Sequence, residues 1–253
     1  MHTRENNEEH SQGVTLMTGG SVRRQIVRFS LPVFWGNLFQ QLYNIVDSLV
    51  VGNFLGSDAL AAVGSSGHII FLLVGLFSGL FTGASVVISG YFGAQEHQKM
   101  HTAIHTTVAF GLLAGVVLSV VGVAVSPTLL RWIGTPDSVF ANSALYFRIY
   151  FSGVVFVTLY NTATGILQAV GDSKHPLYYL IISSVTNVVL DLLFVAVFHM
   201  GVDGAALATV ISQAVSAVLG FIRLIRSDAI YRVEPKKVRL NGPMLAKVLH
   251  MGI

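Results

Sequence analysis

Six long apolar runs divide the chain, at about 29–52, 67–91, 100–124, 138–169, 176–199 and 203–225, with short polar connections between them. Each run is continuous rather than alternating, and each meets or exceeds the ~20 residues an α-helix needs to cross about 30 Å of hydrocarbon. Only helices and closed barrels satisfy every backbone N–H and C=O in lipid, and runs of this length are too long for barrel strands. The pattern therefore predicts an all-α membrane protein. Its core is a six-transmembrane-helix bundle over 29–226, after a polar tail at 1–28 and before a cytoplasmic segment at 227–253. The tail ends in Arg23, Arg24 and Arg28 and has no short apolar core before a small-residue cleavage site, so it is read as a cytoplasmic tail and not a signal peptide.

Composition agrees and adds an orientation. Hydrophobic residues make up 53% of the 253 and charged residues 11%, with a mean hydropathy of +0.69, whereas soluble domains carry about 25% charged residues. The net charge of +3 sits mostly at segment ends, where it anchors against anionic lipid, and no nucleic-acid partner is expected. Cysteine is absent, which excludes disulfides, thiolate catalysis and Cys-ligated metals. Arg23, Arg24, Arg28, Lys99, Lys174, Arg223, Arg226, Arg232, Lys236, Lys237 and Arg239 fall on one side of the predicted bundle, against Arg131 and Arg148 on the other. Both ends of the chain are expected in the cytoplasm.

Two carboxylates break the apolar pattern. Asp47 and Asp191 lie inside the first and fifth runs, and the other acidic residues fall in the tail, loops or C-terminal segment. A charge facing hydrocarbon costs several kcal/mol, so an aspartate kept there faces a polar interior and handles ions or protons. On the expected orientation both lie in the outer half of the bilayer, at depths of about 8 and 12 Å, where they can meet. Each has polar company at helical spacing: Asn37, Gln40, Gln41 and Asn44 before Asp47, and Ser184 and Asn187 before Asp191. The sixth run adds Thr209, Ser212, Gln213 and Ser216, and the second adds Ser78, Thr82, Ser85 and Ser89. Desolvation and like-charge repulsion disfavour two anions side by side, which suits the pair to taking up a proton and releasing it elsewhere. Equally, the two carboxylates with the amide oxygen of Asn187 and the hydroxyl of Thr209 make an all-oxygen cluster suited to sodium.

At these residues the chain resembles a known family. The run from Ile45 to Gly64, IVDSLVVGNFLGSDALAAVG, is similar to the first helix and following loop of the multidrug and toxic compound extrusion (MATE) transporters. Gly171-Asp172-Ser173-Lys174-His175-Pro176 resembles their GD-x-K-x-P link, and Asn187 through Asp191 to Gly204, Thr209 and Gln213 resembles their N-x-x-x-D helix and the pattern after it. The resemblance implies a secondary active efflux transporter that exports organic, often cationic compounds by antiport with protons or sodium ions. It implies a prokaryotic plasma membrane, no cofactor beyond the coupling ion, and drugs or organic cations and membrane lipid as partners. In the DinF-type branch it carries the ion or proton site onto Asp47, Asn187, Asp191 and Thr209. Asn161 matches a residue of the polar cavity, which Gln40, Asn44 and Ser184 would also line, and Pro32 matches a proline proposed to act as a hinge. Family members have twelve helices in two lobes, and residues 242–253 echo 20–31, just before Pro32. The chain is therefore expected to be one lobe, with a linker over 227–241 and the start of a second repeat, its partner being the missing carboxy-terminal lobe. A half-transporter that pairs with itself is the rival.

Other motifs have plainer readings. His97, His101 and His105 recur every four residues, but with only Glu96 nearby a solvated interfacial helix is expected, not a metal site. Gly75, Gly79 and Gly83, like Gly111 and Gly115, form small-xxx-small patterns that allow close helix packing. No GxSxG, HExxH or phosphate-binding GxxxxGK[ST] occurs, so the chain is not expected to be an enzyme or driven directly by ATP. A flippase for lipid-linked oligosaccharides would need more basic residues inside its helices. A non-transporting receptor or assembly subunit would leave the buried aspartates as helix contacts only.

Overall fold

The computed structural model describes residues 21–252, and the side chains among them except those of Val22, 65–74, 76–78 and 80. Most of the predicted tail, 1–20, and the side chain of Ser78 lie outside the described residues. The described residues fold into α1 (Val22–Leu55), α2 (Ser57–Gly93), α3 (His97–Trp132), α4 (Asp137–Ser152), α5 (Val154–Ala169), α6 (Lys174–Asp191), α7 (Val202–Arg226) and α8 (Gly242–Gly252). A π-helical turn, Leu192–Val197, continues α6, and a 3-10 turn, Pro235–Lys237, precedes α8. There is no strand among them. Several helices overrun the apolar runs, because residues such as Arg23 and Arg24 are good helix formers whose side chains remain solvated beyond the lipid. The end of the predicted tail is therefore helical.

Among the described residues, α3, α6 with its π turn, and α7 are each long and apolar enough to cross a bilayer. The predicted span at 138–169 is a fourth, but it is bent by 45° between α4 and α5. The bend falls at Gly153, where a Cβ would come within 2.5 Å of the Val210 side chain on α7. The absent side chain lets α7 approach the corner. At 34 residues α1 is long enough to span, but it carries the polar stripe that ends in Asp47 and Ser48.

Lipid tails are as apolar as leucine, so helices associate here through close packing more than through exclusion of water. Gly111 and Gly115 of α3 lie directly against the Thr162 and Thr158 side chains of α5, and Gly122 lies against the Phe151 ring of α4. Gly79 and Gly83 of α2 take the backbone of α8, with Gly252 N at 2.5 Å from where a Gly83 Cβ would stand. Gly75 has no neighbour within 4 Å of its Cβ position among the described residues.

One end of the bundle closes over a cluster that includes Ile88, Phe92, Met100, Ile104, Ile166, Leu167 and Leu224. Tyr231, Val233, Met244 and Val248 belong to the same cluster, so the segment after α7 is folded back onto the bundle. Its backbone is tied as well: Val233 N–H donates to Leu224 O at 2.9 Å. This corrects the expectation for one of the three histidines, since His97 is exposed and His101 half-buried. His105 is 5% exposed and accepts a hydrogen bond from Glu234 N–H, because the returning segment covers the helix face that was read as solvated.

Candidate functional site

The aspartates meet because α1 and α6 run parallel. Gly36 of α1 packs beside Leu177 and Leu180 of α6, its Cβ position 3.7 Å from a Leu180 methyl. Asp47 lies eleven residues beyond Gly36 (47 − 36) and Asp191 eleven beyond Leu180 (191 − 180), so equal helical rises bring both to one level. Their carboxyl groups stand within hydrogen-bonding range of each other. Asp191 has no exposed surface, and Asp47 is half-buried. Oδ1 of each is buried and receives no donor among the described residues. A carboxylate can only accept, so two in contact require a proton or a cation between them.

The remaining oxygen of Asp191 is held from its own helix. With its amide nitrogen turned toward the carboxylate, Asn187 donates to Asp191 Oδ2 at 2.8 Å and accepts from Thr209 N–H at 3.2 Å. Thr209 Oγ1 donates to Ala205 O at 3.1 Å and lies 3.5 Å from the Tyr43 hydroxyl. Thus α1, α6 and α7 contribute Asp47 and Tyr43, Asn187 and Asp191, and Thr209 to one cluster. Around it Val50, Val51, Val195, Ala205 and Ala206 form a dry wall with Tyr146, whose ring stacks 6.4 Å from that of Tyr150. The π turn begins at the residue after Asp191, with Phe198 N–H reaching five residues back to Leu193 O at 2.9 Å. Such turns are frequent at functional sites, since they reorient the residues beside them.

Two members of this neighbourhood escaped the sequence reading. Tyr43 is absent from the expected stripe, although its four-residue step to Asp47 places it on the same face. On α6 the residue in four-step register with Asn187 and Asp191 is Ser183, which is buried and donates to Ser212 O on α7 at 2.8 Å. Ser184, the serine expected in that stripe, is half-buried one position round the helix.

Other expected residues stand outside the carboxyl cluster. Asn44 is exposed on α1 and accepts from Gln40 Nε2 at 3.5 Å, so this pair lies on the open face of the bundle. Asn161 is half-buried on α5 and donates to Val157 O of its own helix at 2.9 Å. Pro32 lies inside α1, not in its first turn, so it does not start the helix; it removes an internal backbone hydrogen bond. No group of three or more His, Asp or Glu able to hold a metal occurs among the described residues.

Comparison with known proteins supplies the context. The family model described as MatE matches residues 32–193. The chain is 34% identical over 236 residues to the probable multidrug resistance protein YpnP of Bacillus subtilis (strain 168), covering 93% of this chain and 53% of that protein. It is 25% identical over 232 residues to the multidrug export protein MepA of Staphylococcus aureus (strain NCTC 8325 / PS 47), covering 92% and 51%. A crystal structure of MATE in the bent conformation superposes with a TM-score of 0.88 at 27% identity, covering 95% of this chain and 54% of that one. The straight conformation superposes with a TM-score of 0.85 at 26% identity, with the same coverage. The chain thus spans about half the length of the relatives it matches.

Proposed function

The chain belongs to the MatE family, and on that premise we propose that it is the ion-coupling lobe of a secondary multidrug efflux transporter. The full protein would export organic, often cationic compounds across a prokaryotic plasma membrane in exchange for protons or sodium ions. The observation that carries the reading is the pair of facing carboxyls, each with a buried oxygen that no donor among the described residues reaches. With one proton shared, the pair carries a single negative charge, open to a sodium ion or a cationic substrate; a second proton removes that charge. Proton and cation then exclude each other, which is the elementary requirement of antiport. Each elementary charge moving down 100 mV releases about 2.3 kcal/mol, enough for roughly a fiftyfold gradient of an exchanged compound.

Asn187 and Thr209 hold Asp191 in place, so α6 and α7 move as one unit around it, while α1 brings Asp47 and can respond to the pair's protonation. Pro32 is the point where α1 bends most readily, because a backbone hydrogen bond is already missing there. In this reading both ends of the chain are cytoplasmic, Gln40 and Asn44 face the cavity shared with a carboxy-terminal lobe, and that lobe completes alternating access. The test is dye efflux by the full-length gene product in proteoliposomes, with proton and sodium gradients imposed separately. Efflux that follows one of the two gradients supports the proposal. Efflux indifferent to both gradients, or none with a folded protein and several cationic dyes, removes it.

A further inference from the structure

His105 is held at both ring nitrogens. Nδ1 lies 2.7 Å from His101 O, a carbonyl that can only accept, so Nδ1 carries the proton. Nε2 lies 3.1 Å from Glu234 N–H, a group that can only donate, so Nε2 is bare. Together the two contacts specify the neutral Nδ1–H tautomer. A proton on Nε2 would set one N–H against another and break the side-chain bond that ties the Glu234 backbone to α3. We propose that His105 is a proton-operated clasp: neutral, it fastens the stretch at Glu234 to the bundle, and protonated, it releases that stretch.

The sign follows from proton counting. The fastened state leaves no room for a proton on Nε2, whereas the released state accepts one, so acid favours release. The neighbouring groups reinforce this. His101 stacks on His105 with ring centroids 6.0 Å apart, and His97 and Lys237 also face this corner. The carboxylate at this corner is that of Glu234, which is exposed and already engaged by Lys237 Nζ at 2.7 Å. From the adjoining helices, Lys99 and Lys247 are turned to Tyr91, with Lys247 Nζ 3.0 Å from the Tyr91 hydroxyl. Release is local, because Tyr231 and Val233 remain buried and Val233 N–H stays bonded to Leu224 O. In the full transporter, on the reading above, the same segment joins the two lobes, so acidification of the cytoplasm would slacken the tether between them.

The test is hydrogen–deuterium exchange of the full-length protein in lipid nanodiscs, read at the Glu234 amide near pH 8 and pH 5 and corrected for intrinsic rates. In the native protein the protection is expected to fall by about fivefold or more at the lower pH. In His105→Phe it is expected to be low at both, whereas His101→Gln, which keeps the backbone carbonyl, retains the native pH dependence. Equal protection at the two pH values in the native protein overturns the clasp, and so does a native-like pH dependence in His105→Phe. If His105→Phe does not fold, nitrogen NMR of the native histidine rings decides. A neutral Nδ1–H ring at high pH upholds the clasp, and a neutral Nε2–H ring overturns it.

Discussion

Asn187 does two things with one amide, donating to Asp191 and accepting from the Thr209 backbone, so its removal leaves a buried carboxyl oxygen without a donor. Asn187→Ala is expected to lower stability by about 1–3 kcal/mol, measured as a drop in the thermal midpoint in detergent. Tyr231 presents the opposite case. Its side chain is fully buried, but its hydroxyl has no partner among the described residues, so Tyr231→Phe is expected to be neutral or to raise the thermal midpoint. A clear loss would mean that the hydroxyl is bonded after all. The aspartates were readable in the sequence because an ionisable group within hydrocarbon is rare enough to stand out alone. Ser183 was not, since adjacent helical positions differ by about 100° of rotation and the serine pair 183–184 offers no other clue to phase.

Hydropathy averaged over about twenty residues locates membrane helices well, which is why the six runs correspond to α1, α2, α3, the α4–α5 pair, α6 and α7. Bends and docking depend on single contacts that such averages erase. The corner at Gly153 exists because one missing Cβ admits Val210, and the return of residues 227–241 depends on Tyr231, Val233 and His105, which share no periodicity. The glycine patterns were readable as packing motifs, but their partners were not: α5 for Gly111 and Gly115, and α8 for Gly79 and Gly83. Gly122 tests this closeness directly. Any Cβ there overlaps the Phe151 ring, so Gly122→Ala is expected to cost about 1–3 kcal/mol through overpacking, seen as a lower thermal midpoint. The same substitution at Gly75, whose Cβ position meets nothing within 4 Å among the described residues, is expected to change little.

The bundle covers 54% of a MATE structure at a TM-score of 0.88, and within it the carboxyl pair sits where α1, α6 and α7 converge. A site assembled from three helices is sensitive to their relative movement, which is the property a coupled transporter needs. On this account the proton or sodium ion acts on one lobe and the drug is released by its motion against the other. The most direct measurement is gradient-driven efflux by the full-length protein carrying Asp191→Asn, compared with the native protein at equal reconstitution. Asparagine preserves the size of the side chain but cannot share a titrating proton with Asp47. Efflux is expected to fall at least tenfold, to the level left by collapsing the gradient, and Asp47→Asn is expected to behave alike. Native efflux with native gradient dependence in the Asp191→Asn protein would contradict the assignment of coupling to this pair.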